Sequence, residues 1–158
     1  YTSEKGGRCG NHIHISKNAF DDQAQARLVL IYARFESIIK ILSRRGDNVE
    51  YCKDVLDSVS RVCLEFSDII VSRQKQKSKN TAINFNNSDT IEFRVFRGTM
   101  NTNTLIANIQ LIQLIADLAL QELSIQDILD LTFKQLVNKM IEADYKELIQ
   151  YCDKKELL

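Results

Sequence analysis

The chain has 158 residues, of which 44% are hydrophobic and 27% charged, the length and proportions of one globular domain with a core of its own. Its 21 basic and 21 acidic residues cancel, which excludes a molecule-wide field for nucleic acid or lipid and leaves any such binding to a local patch. The sequence shows neither a secretory leader pattern nor an apolar run of membrane-spanning length, so a cytoplasmic protein without membrane attachment is expected.

Proline is absent and only five glycines occur, so few helix stops are enforced and long helices with short connections are favoured. The four cysteines, Cys9, Cys52, Cys63 and Cys152, form no Cys-x-x-Cys pair. A zinc ribbon or redox motif is therefore not expected, and all four read as reduced, mainly buried thiols.

In chain order, Asn11–Ser16 alternates polar and apolar residues, which predicts a strand with His12 and His14 on one side and Ile13 and Ile15 on the other. Asn18 and Asp21 are candidate caps for a helix to about Arg45, with Leu28, Ile31, Tyr32, Phe35, Ile39 and Leu42 as its buried stripe and Gly46 as its stop. A second helix from Asp47 or Asn48 to about Ser72 would complete an antiparallel hairpin. The polar, basic stretch Ser72–Asn80 reads as a loop. Strands are expected at Ala82–Phe85 and Thr90–Arg97; in the latter, Ile91, Phe93 and Val95 face one way and Glu92, Arg94 and Phe96 the other. Thr102–Glu122 is apolar on most of its surface, so Ile109, Ile112 and Leu118 are expected inside. Ser124, Thr132 and Asp144 are cap-like breaks before shorter helices, and Thr132 with Gln135 has capping-box spacing. This order predicts a single α+β domain over residues 1–158, mostly helical, with a small antiparallel sheet packed against a long helical hairpin and further C-terminal helices.

Two segments carry chemistry. Cys9-Gly-Asn-His-Ile-His-Ile-Ser16 puts two imidazoles on one strand face, where they can ligate a metal or grip phosphate. Thr90-Ile-Glu-Phe-Arg-Val-Phe-Arg97 sets the carboxylate of Glu92 beside the phosphate-pairing guanidinium of Arg94. Alone, the first is more often an exposed strand face and the second a cross-strand ion pair. If both strands share a sheet, four polar groups converge on one side, a costly arrangement unless ions or a ligand satisfy it.

Together with Gly98 and Thr99, these motifs resemble the C-terminal half of the amidoligase family, carboxylate–amine ligases with a glutamine synthetase-like catalytic sheet. The resemblance covers about residues 8–120 and leaves a C-terminal helical extension at about 124–158. It implies that His12 faces metal and nucleotide, that His14 is its substrate-side companion, that Glu92 is a metal carboxylate, and that Arg94 and Arg97 hold phosphate. Such an enzyme would use ATP and magnesium or manganese to activate a carboxylate as an acyl phosphate for attack by an amine.

The sequence also departs from the family pattern. The segment before the first motif holds one acid, Glu4, where the family brings further metal carboxylates, and Asn11 stands where the family usually has an apolar residue. The reading is therefore a non-catalytic descendant, without cofactor, whose surface binds another protein. The alternative is a ligase fragment that needs an upstream segment or a second chain. More weakly, the chain resembles phage or mobile-element anti-CRISPR inhibitors. This second resemblance implies a Cas9-type nuclease with its guide RNA as partner in a bacterial host cell, with Arg73, Lys75, Lys77 and Lys79 as contact candidates.

Overall fold

The computed structural model describes residues 10–44, 65–75 and 81–158. Strand β1 spans Gly10–Ser16, and one 3-10 turn at Lys17–Ala19 leads into helices α1 (Asp22–Arg34) and α2 (Glu36–Ser43). Helix α3 is Phe66–Lys75, followed by strands β2 (Ile83–Asn84) and β3 (Thr90–Arg97). Helices α4 (Thr102–Ala119), α5 (Ile125–Asp130), α6 (Phe133–Glu142) and α7 (Lys146–Lys154) complete the chain. The architecture is α+β, as the alternation of patterns predicts.

The sheet is antiparallel in the order β1-β3-β2, so β3 is its centre. Lys17 ties the β2–β3 turn to the end of β1, its Nζ donating to the carbonyls of Phe85 at 2.9 Å and Asn87 at 3.1 Å. Between β1 and β3 the register runs Gly10↔Arg97, Asn11↔Phe96, Ile13↔Phe93 and His14↔Glu92. Two steps on β1 thus match three on β3, which sets Arg94 and Val95 together opposite His12. This β-bulge breaks the strict alternation expected of β3. Phe96 does not stay in the polar row with Glu92 and Arg94; it lies opposite Asn11 and is fully buried in the core.

The expected single helix to Arg45 is two helices broken at Phe35, where φ is −108° and ψ is 16°. Phe35 is buried in the core, and that packing overrides a local pattern able to continue as helix. Asp21, not Asn18, is the cap: its carboxylate accepts from Ala24 N–H. The Gly46 stop and most of the second hairpin helix lie outside the described residues. Its described part, α3, continues to Lys75, so Arg73 and Lys75 belong to a helix where a loop was expected. Arg, Gln and Lys are good helix formers, and nothing at 72–75 forces a stop.

Helix α4 packs against α1 and α7 and begins at Asn101, whose side chain accepts from Thr104 N–H at 2.9 Å. It stops three residues short of the expected Glu122, where buried Arg27 donates from Nε to the Ala119 carbonyl at 2.8 Å and satisfies one terminal acceptor. Ile112 and Leu118 are buried as expected, but Ile109 is 48% exposed and Leu105 lies beside solvent with it. Capping boxes open α5 (Ser124 with Asp127) and α6 (Thr132 with Gln135). Asp144 does not cap α7; it takes a left-handed φ of 54° and Tyr145 occupies the cap position. Cys152 is free and buried, and burial pushes its thiol up to about 11; the other three cysteines lie outside the described residues.

Candidate functional site

Period-two alternation puts His12 and His14 on one face of β1, and the register then decides what stands beside them. His14 lies opposite Glu92 on β3, and Glu92 in turn lies opposite Asn84 on β2. The three residues form a row across the whole sheet, with His12 and Arg94 one step further along.

Glu92 is the hub of this cluster. Its Oε1 receives His12 Nδ1 at 2.7 Å and stands 3.8 Å from His14 Nε2. Its Oε2 receives the Asn84 amide nitrogen at 2.8 Å and stands 3.6 Å from Arg94 Nη1. Burial alone would push the Glu92 carboxyl up, but the Asn84 hydrogen bond and the charges of Arg94, His12 and His14 outweigh it and hold the group below its ordinary value. It is therefore a carboxylate at neutral pH. On its other ring nitrogen, His14 is hydrogen-bonded to Thr90 Oγ1 at 3.1 Å.

The four residues singled out in the sequence thus share one face of one sheet. The bulge gives Arg97 the parity of the same face, further along the strand. Strict alternation would turn Arg97 to the apolar face with Ile91, Phe93 and Val95, whereas its register partner Gly10 has the parity of His12 and His14. The basic candidates are not brought to this face by anything described: Lys77 and Lys79 lie outside the described residues, as do the side chains of Arg73 and Lys75. Asn84 is the site residue that sequence reasoning missed. A polar residue inside the apolar run Ala82-Ile-Asn-Phe85 was the available signal.

Among the described residues the donor set is short of oxygen ligands for a resident divalent cation. His12 Nδ1 and the Glu92 oxygen face each other at hydrogen-bonding distance, 2.7 Å. Magnesium also prefers oxygen ligands, and among the described residues the cluster holds one carboxylate. Among the described residues no group of three or more His, Cys, Asp or Glu side chains is disposed to hold a metal ion. Of the expected metal set, His12 and His14 both lie against the same Glu92 oxygen, at 2.7 and 3.8 Å. Arg94 Nε is buried with no hydrogen-bond partner among the described residues, while the two histidine side chains are 35% and 45% exposed.

A small antiparallel sheet backed by helices, with a carboxylate held among two imidazoles and a guanidinium on its polar face, defines a domain that builds its site on strand side chains. Residues 2–116 match the family described as "putative amidoligase enzyme", and the chain belongs to that family. No curated protein and no solved structure matches it. Helices α5, α6 and α7 lie beyond the matched segment. Among the described residues, no helix is long and apolar enough to cross a membrane.

Proposed function

We propose that this amidoligase-family domain binds a phosphate-bearing ligand of the nucleotide class on the polar face of its sheet and does not form amide bonds unaided. Arg94 and Arg97 supply the guanidinium charge for the phosphate, and His12 and His14 supply adjustable donors at the rim. Glu92 holds the histidines and Arg94 in place. The observation that carries this reading is the engagement of both Glu92 oxygens by protein donors, His12 and Asn84. Such a carboxylate orients its neighbours but is poorly placed to collect a cation or take a proton from an amine. Acyl-phosphate chemistry would need further carboxylates, from residues outside those described or from a second chain.

The test has two arms. Calorimetric titration with ATP and with inorganic phosphate should give saturable binding that Arg94→Gln weakens about 10- to 100-fold, the loss of one hydrogen-bonded charge. In magnesium or manganese, with or without candidate amines, the chain alone should release no ADP above a His12→Ala control. Metal- and amine-dependent ADP release would show a complete ligase site, and no binding of either anion would remove the anion reading. A partner-binding inhibitor of a Cas9-type nuclease gains support neither from the family match nor from the described geometry.

A further inference from the structure

Asn84 is 2% exposed and lies directly opposite Glu92 in the sheet. Its two amide atoms do different work. Oδ1 accepts the backbone N–H of Asn86 at 3.0 Å, an Asx turn that opens the β2–β3 loop. An amide NH2 cannot accept from an N–H, so this bond fixes which end is which. Nδ2 is thereby aimed at Glu92 Oε2, 2.8 Å away. With Oε2 tied to one edge strand, the rotation of the carboxylate is set, and Oε1 is delivered to His12 and His14 on the other.

We infer that Asn84 is the positioning residue of this site: a donor locked by the turn, it orients Glu92 and through it the two histidines. The inference rests on the reading of the polar face as a ligand site, but its consequence is visible without ligand. It also explains why the row holds one carboxylate. An acid at 84 would still accept from Asn86 N–H, yet would turn a second negative charge towards Glu92.

That difference supplies the experiment. Asn84→Asp keeps the turn-forming oxygen and replaces the donor with an acceptor, so a purely structural turn role leaves it silent. The chain has only two histidines, so ring nitrogen resonances from histidine-labelled protein are assigned with a single His12→Ala control. In folded Asn84→Asp, the His12 ring resonances should shift while the Asn86 amide keeps its protection from exchange, and affinity for inorganic phosphate should fall about 10-fold or more. Unchanged His12 and His14 resonances would overturn the proposal. Failure of the wild-type chain to bind phosphate would instead overturn the anion reading and leave the ring signature readable. If Asn84→Asp does not fold, the exchanged pair Asn84→Asp with Glu92→Gln decides. Recovery of the fold identifies the 84–92 contact as the cause and supports the proposal, and continued unfolding refutes it.

Discussion

Replacing Glu92 by alanine tests whether the polar row is one interdependent cluster. The substitution strands the Asn84 Nδ2 donor in a nearly solvent-free position and removes the counter-charge from Arg94, whose Nε already lacks a partner. A stranded buried donor costs about 1–3 kcal/mol, and a hydrogen bond to a charged group contributes about 1.5–3 kcal/mol. His12 and His14 are more than a third exposed and recover water, so their pairs add about 1 kcal/mol or less. These contributions overlap, which places Glu92→Ala at about 2–4 kcal/mol. Glu92→Gln keeps an acceptor for Asn84 and should cost about 1–2 kcal/mol, and His12→Ala less than about 1 kcal/mol. Urea unfolding at neutral pH measures all three, and for a chain of this length the alanine variant should also lose roughly 5–15 °C in Tm. The pH dependence has a fixed sign. Because the folded state holds the Glu92 carboxyl below its ordinary value, its contribution is complete above that value and is lost as pH falls through the folded one. The gap between wild type and Glu92→Gln should therefore close on acidification. A cost for Glu92→Ala below about 0.5 kcal/mol, or a gap that widens in acid, would refute the account.

Two further outcomes concern the helices. Ile112→Ala and Leu118→Ala, both on the buried side of α4, should each cost about 2–5 kcal/mol, whereas the half-exposed Ile109→Ala should cost about 1 kcal/mol or less in the same urea titration. Arg27→Met removes the donor that closes α4 at Ala119 and should destabilise by about 1.5–3 kcal/mol, read as a fall in the urea midpoint at unchanged slope.

Much of the fold was legible because it follows from periodicity and caps. The strand β3 has the bounds that its alternation suggests, and the Thr132 and Ser124 caps act at the ends that their side chains mark. The departures arise where tertiary packing decides. Nothing local distinguishes Phe35 from its neighbours on the stripe, yet its burial divides α1 from α2. Ile109 looks as interior as Ile112, and only the placement of α1 and α7 on two sides of α4 leaves it outside. A helix apolar all round says that burial is available, not which partners will provide it.

The site was legible to a different depth. Residue type and alternation sufficed to place His12, His14, Glu92 and Arg94 on one face once β1 and β3 paired. Arg97 and Phe96 could not be assigned this way, because a bulge shifts parity by one residue and leaves no composition signal in Phe-Arg-Val-Phe-Arg. The consequence is chemical as well as geometric. Without the shift, Arg97 would sit on the apolar face and Phe96 in the polar row. With it, a single irregularity both buries Phe96 in the core and turns Arg97 to the polar face. If the polar face takes an anion, as proposed, the register of one strand pair is what adds Arg97 to that face, the same face on which His12 and Asn84 hold the Glu92 carboxylate.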